Sequence, residues 1–267
     1  MKVDAILPAG GRITGDFATE AGAEIKALIA FEGRTLLERT LDTLRATGRV
    51  QRAVVIGPGE LAGHPASATA DAVLPEAESG PANIMRGLEW LHHANDGRHA
   101  ERVLIVTTDL PFLTPESITG FLDACPPGAA MSLPAIRKEA IEASCPHWAG
   151  TYLHLRDGAW TLGCAFLVDP QSIMANREHI ERVFNARKSA LAMARLLGPL
   201  FIARFMCRQL TVGHVQRRCE QILGCTGAAV LDCAPELAFD IDLPQEYRYA
   251  VQWMAQRKSE EVTKRNA

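Results

Sequence analysis

Short apolar runs alternate with amphipathic segments through the first half of the chain. Val3–Leu7 is apolar at nearly every position and predicts a buried strand. Thr35–Ala46 carries Leu36, Leu37, Leu41 and Leu44 at helical spacing, so one face is apolar and a helix is expected. Ala53–Ile56 predicts a second strand, stopped by Gly57-Pro58-Gly59, and Ala72–Leu74 a short third. Ala82–His93 reads as a helix with Pro81 in its first turn, where a missing N–H costs nothing. Arg102–Thr107 predicts a further strand, and Pro115–Ala124 a helix capped by Thr114. This rhythm implies an α/β protein with a mainly parallel sheet and helices on both faces, because parallel crossovers lay their helices over the sheet.

After about Gly128 the rhythm loosens. Thr151–Leu155 and Ala165–Val168 read as strands on either side of a turn at Asp157-Gly158. Arg177–Leu197 and Gly213–Leu223 read as helices, Ala228–Leu231 as a strand and Gln245–Ala255 as the last helix. A crossover of roughly 40 residues is long for such a unit, so residues 185–226 are expected to form a helical insertion. Inside it, Leu196–Met206 with Arg204 and the following Arg208 is read first as a buried insertion helix or a homodimer contact. A basic interfacial helix is the alternative. Residues 1–256 are expected to form one domain, and residues 257–267, charged and without an apolar stripe, a disordered tail.

Composition narrows the picture. Of 267 residues 48% are hydrophobic, enough for a core without disulfides or structural metals. The net charge of -3 gives no general field for polyanions, so nucleic acid is not an expected partner and any phosphate recognition must be local. Seven cysteines, at 125, 145, 164, 207, 219, 225 and 233, form no Cys-x-x-Cys pair. Cys219, Cys225, Cys233 and His214 match no common zinc spacing, so free thiols and a reducing compartment are expected. No stretch is apolar enough to span a bilayer, and the apolar run before Pro8 is too short for a secretory leader. A cytoplasmic location without a membrane partner follows as the expectation.

Three places carry candidate chemistry. Leu7-Pro8-Ala9-Gly10-Gly11-Arg12 leaves the first strand through two glycines, whose backbone N–H groups can turn towards phosphate or a base edge with no Cβ in the way. The dinucleotide fingerprint is absent because the glycines are adjacent, and Asp16 stands where a phosphate-loop lysine would be. Arg12 and the later Lys26 supply two cations for a triphosphate. Asp109, before Leu110-Pro111, ends a strand and should open onto the same sheet edge as the glycine loop. Asp240 and Asp242 flank Ile241, so on an extended segment both acids share one face. Asp109 with Asp242 or Asp240 would meet the carboxylate preference of magnesium, with a helix cap as the competing role for Asp242.

Together these segments resemble the nucleoside-triphosphate transferase superfamily, specifically molybdenum cofactor guanylyltransferase-like proteins. The resemblance is carried by Leu7-Pro8-Ala9-Gly10-Gly11-Arg12, Lys26, Gly33-Arg34-Thr35-Leu36-Leu37, Asp109-Leu110-Pro111 and Asp240-Ile241-Asp242-Leu243-Pro244-Gln245-Glu246. It implies a Rossmann-like three-layer α/β/α fold with a nucleotide-binding half and an acceptor-binding half. It also implies transfer of an NMP unit from an NTP, CTP or GTP, to a phosphorylated or hydroxylated small acceptor. By the same resemblance Gly10, Gly11 and Arg12 hold the triphosphate, Lys26 neutralises it, Asp109 and Asp242 hold Mg2+, and Asn83 stands where pyrimidine-specific relatives read the base. The chain departs from the family in three places, one of them a long loop to Lys26 that carries Asp16, Glu20 and Glu24. Arg12 directly follows Gly11, and Thr161-Leu162-Gly163-Cys164 replaces a Thr-Gly-Gly-Asn of the acceptor pocket. A glycosyltransferase of related architecture is the rival reading, but its Asp-x-Asp pair would come earlier than 240–242. A non-catalytic nucleotide-binding or membrane-associated scaffold is the other.

Overall fold

In β1 (Val3–Pro8), Ala5 and Leu7 face one side and Ile6 the other, and all three are fully buried. A strand apolar on both faces belongs inside a sheet covered twice. The computed structural model describes residues 1–94, 97, 100–148 and 150–265, with backbone alone for 258–265. After β1 come α1 (Gly15–Ala21), the short hairpin β2 (Ala30–Phe31) and β3 (Arg34–Thr35), and α2 (Leu36–Ala46). There follow β4 (Val50–Gly57), β5 (Ala72–Pro75), α3 (Gly80–Ala94), β6 (Val103–Val106) and α4 (Pro115–Ala124). The second half holds β7 (Met131–Arg137), α5 (Lys138–Ser144), β8 (Leu153–Leu155), β9 (Gly158–Leu162) and β10 (Ala165–Val168). Then come α6 (Pro170–Ala175), α7 (Arg177–Ala186), α8 (Ala190–Leu197), α9 (Pro199–Met206), α10 (Val212–Leu223), β11 (Gly227–Val230) and α11 (Pro244–Arg265).

The main sheet runs β5-β4-β1-β6-β10-β7-β9-β8, with β11 pairing with β7. β5, β4, β1 and β6 are parallel neighbours. β10 is antiparallel to both β6 and β7, and β9 to both β7 and β8, so only β9 and β10 run against the rest. Leu37, Leu41 and Leu44 of α2 and Phe121 of α4 cover one face; Met85, Leu88 and Leu91 of α3 cover the other. Helix starts follow local chemistry. Thr35 and Glu38 cap α2 reciprocally, and the expected Thr114 cap of α4 accepts from Ser117 N. The carboxyl ends of β1, β5 and β6 thus meet at one edge, with the glycine loop and Asp109 on it.

The structure corrects several expectations. The helix expected over Arg177–Leu197 is two helices, broken at 187–189. Its Leu196–Met206 portion is not buried: neither α8 nor α9 contains a buried residue. The last helix, expected over Gln245–Ala255, is Pro244–Arg265; no glycine or proline stops it and Gln, Arg, Lys and Glu favour helix. Residues 266–267 lie outside the described ones.

Candidate active site

Leaving β1, the chain passes Gly10 and Gly11 and then pairs with the strand-like segment ahead of Lys26: Arg12 bridges Ile25, and Lys26 N donates to Gly11 O. Side chains crowd both glycines, so a Cβ at either would force a neighbouring side chain to shift. A Cβ on Gly10 would lie 2.6 Å from Glu76 Oε2, and one on Gly11 2.8 Å from Lys26 Cδ. Leu7 and Ala9 are buried, so only their backbones can serve a ligand, while Gly11 and Arg12 are exposed. The pairing places Lys26 beside the glycine turn with its side chain aimed across the sheet edge.

That side chain meets the acids. Lys26 Nζ donates to Asp109 Oδ2 at 2.9 Å and to Asp242 Oδ1 at 2.5 Å. Ile241 N donates to Asp109 O, stitching the late segment to the exit of β6. Asp109, Asp240 and Asp242 each bring a carboxylate oxygen within 4.8 Å of the others, the single such cluster among the described residues. Asp109 and Asp240 are half-buried and Asp242 is exposed. Burial, then the charges of Asp109 and Asp242, push the Asp240 carboxyl up to about 6. Burial alone would lower the Lys26 pKa, but the two carboxylates outweigh it and hold the ammonium well above the usual lysine value. Asp109 Oδ1 is buried and accepts no hydrogen bond among the described residues. An orphaned carboxylate oxygen in a set of three carboxylates fits a hard divalent cation, which would satisfy it.

Arg12 stays at the surface, 3.2 Å from Glu60, rather than turning into the cluster. Asn83 is half-buried near the start of α3, and its side-chain carbonyl accepts from Ala77 N at 2.5 Å. It therefore fixes the loop after β5 that carries Glu76 against Gly10. Asp242 does not cap α11. Its carboxylate goes to Lys26, and Glu246 accepts from the backbone N–H of Asp242 and Leu243 instead. Cys164 lies behind the acids; burial, then the charges of Asp240 and Asp109, hold its thiol neutral. Sequence reasoning missed Glu76, and it included Glu246 in the late motif without assigning it the capping role. Glu76 directly follows β5, so its position on the carboxyl edge was the available signal.

The arrangement can neutralise a polyphosphate beside the glycine turn and hold a cation between strand ends. The model of the MobA-like NTP transferase domain matches residues 5–212. A hypothetical transferase from Thermus thermophilus is 31% identical over 92% of this chain and 99% of that one, with a TM-score of 0.80. A nucleotidyl transferase from Methanothermobacter shares the fold at 17% identity, covering 96% of this chain and 99% of that one, TM-score 0.56. So does a 2-C-methyl-D-erythritol 4-phosphate cytidylyltransferase, also from Thermus thermophilus, at 20% identity over 94% and 98%, TM-score 0.54. Among curated proteins none matches. With the family model covering most of its length, this chain belongs to the MobA-like NTP transferases, a nucleotidyltransferase family.

Proposed function

We propose that the chain transfers an NMP unit from an NTP to a phosphorylated or hydroxylated small acceptor, releasing pyrophosphate, with Mg2+ as cofactor. The observation that carries this reading is the convergence of Lys26, Asp109 and Asp242 beside the Gly10-Gly11 turn. An acceptor oxygen attacks the α-phosphorus in line; the new O–P bond forms as the bond to the β-phosphate bridging oxygen breaks, and pyrophosphate leaves with that electron pair. Gly10 and Gly11 present backbone N–H groups without side chains in the way. Arg12 and Lys26 balance the charge that grows on the leaving pyrophosphate. Asp109 and Asp242 are the carboxylates that would hold magnesium, with Asp240 beside them. When bound, the ion polarises phosphate oxygens and offsets their charge. A phosphate acceptor brings its own ionised nucleophile, so Asp240, held near 6, is needed as a proton acceptor only for a hydroxyl acceptor.

CTP and GTP are the nucleotides of choice. CTP is supported by a cytidylyltransferase among the structures of the same fold, and GTP by the guanylyltransferase-like sequence motifs. The test is a matrix of four NTPs against phosphorylated and hydroxylated acceptors, read by pyrophosphate release with and without magnesium. One NTP is expected to support acceptor-dependent release. Acceptor-dependent turnover of a nucleotide-sugar with no pyrophosphate from any NTP would replace this reading with glycosyl transfer.

A further inference from the structure

Residues 182–219 contain eight arginines and lysines and not one aspartate or glutamate, in a chain whose net charge is -3. Seven of these cations are exposed: Arg182, which donates to Ile222 O, and six more, Arg187, Lys188, Arg195, Arg204, Arg208 and Arg217. Among the described residues none of the six has an ion-pair partner. The same segment shows apolar side chains to solvent: Leu191 is 62% exposed, Leu200 64% and Met206 75%. On α9, Leu200 and Arg204 are one turn apart and exposed, while Phe201 and Ile202 are half-buried.

The presentation is built, not frayed. α8 ends at Gly198, whose φ of 85° lets the chain turn sharply into α9. Arg218 of α10 donates to the carbonyls of Leu196 and Leu197, capping α8 and fixing the corner. Between this corner and α10 lies a cavity of about 410 Å3, where Arg204, His214 and Arg217 meet Leu200 and Phe201. Among the described residues no helix is long and apolar enough to cross a membrane, so the contact considered is at the surface.

We propose that the α8–α9 corner docks on an anionic lipid surface. Leu200 and Met206 enter the boundary of the acyl chains, and Arg195, Arg204, Arg208 and Arg217 meet lipid phosphates. Charge selects this occupant over a second copy, since self-pairing would set like charges against each other. The exposed leucines and methionine select it over nucleic acid, whose phosphates would leave them in water. The proposal is independent of the transfer chemistry.

The test is flotation of the full chain with phosphatidylcholine vesicles, with and without roughly one third phosphatidylglycerol. Binding is expected to the anionic vesicles alone and to fall as salt rises. Arg204→Gln/Arg208→Gln should weaken it by about an order of magnitude or more, at roughly fivefold per cation. Leu200→Ser/Met206→Ser should weaken it at least about tenfold. Both pairs are exposed, so melting temperatures should match the parent and show that folding is intact. Absence of flotation, equal binding to neutral vesicles, or indifference to both variants would overturn the proposal. So would a dimer that Leu200→Ser/Met206→Ser dissociates, or nucleic-acid binding that anionic vesicles fail to displace.

Discussion

Lys26 bridges Asp109 and Asp242, its Nζ 2.9 Å from one carboxylate and 2.5 Å from the other. A single ammonium thus touches two of the three acids proposed to share a metal. Removing it leaves three neighbouring carboxylates to repel one another. Lys26→Met is therefore expected to lower the melting temperature, by the equivalent of about 1–3 kcal/mol; the usual loss on breaking a buried pair is reduced because Asp242 is exposed. Magnesium should recover more of that loss in the variant than it adds to the parent, because the freed oxygens are ready ligands. Turnover should fall by about two to three orders of magnitude. Thermal melts with and without magnesium decide the matter: an unchanged melt and an equal magnesium response would uncouple Lys26 from the acids.

Asp240 gives a pH signature. Its carboxyl is pushed from an ordinary 3.8 up to about 6, first by burial and then by Asp109 and Asp242. The folded state therefore favours the protonated form. Its favourable contribution is complete below about 3.8, declines between 3.8 and 6, and is gone above that. Asp240→Asn cannot ionise and escapes the decline. In metal-free buffer it should melt like the parent near pH 4 and a few degrees higher near pH 7, a gain of about 1–2 kcal/mol after allowing for partial exposure. An advantage that is the same at both pH values would show that Asp240 titrates normally.

Much of the first half was readable because each element carries its own local pattern. Leu36, Leu37, Leu41 and Leu44 mark α2 by spacing alone, and Asp109 announces itself as an acid at a strand exit. β7 was not readable, because Pro134 interrupts it and proline normally excludes a central strand. The structure shows how it fits. β7 pairs with β10 through Ser132 and with β9 from Ala135 onwards, so Pro134 falls where the ladder changes partner. Nor was α1, a seven-residue helix whose one buried residue, Phe17, packs against Tyr247 of α11. Such support is tertiary and leaves no periodic trace. The site followed the same rule: strand ends were visible, but Lys26 choosing Asp242 across 216 positions was not.

Arg12 separates charge from stability. It is exposed and its partner Glu60 is exposed as well, so the pair adds little to folding. Arg12→Ala should leave folding stability within about 0.5 kcal/mol of the parent. If Arg12 swings from Glu60 to the triphosphate, turnover should nonetheless drop by about two orders of magnitude, with a weaker apparent affinity for NTP. Steady-state kinetics over NTP concentration will show it, and a change below about threefold would move the triphosphate away from Arg12.

Asp242 and Glu246 divide two roles that the sequence had offered to one residue. An aspartate two positions before a helix-opening proline reads as a cap, yet Asp242 turns its carboxylate to Lys26 while Glu246 takes the Asp242 and Leu243 backbone N–H groups. The two should fail differently. Glu246→Ala removes a cap and should cost about 1 kcal/mol, with the first turn of α11 loosened and the magnesium dependence of turnover nearly unchanged. Asp242→Asn keeps the backbone pairing, removes one of the acids pressing on Asp240, and should leave the melt within a degree or two. Its effect belongs to the metal: with one charged ligand gone, half-maximal turnover should need roughly ten times more magnesium or beyond. Paired magnesium titrations and melts on the two variants give a crossed result if the roles are as assigned. If Asp242→Asn lowers the melt while Glu246→Ala raises the magnesium requirement, the assignment is inverted and the late segment binds its ion through Glu246.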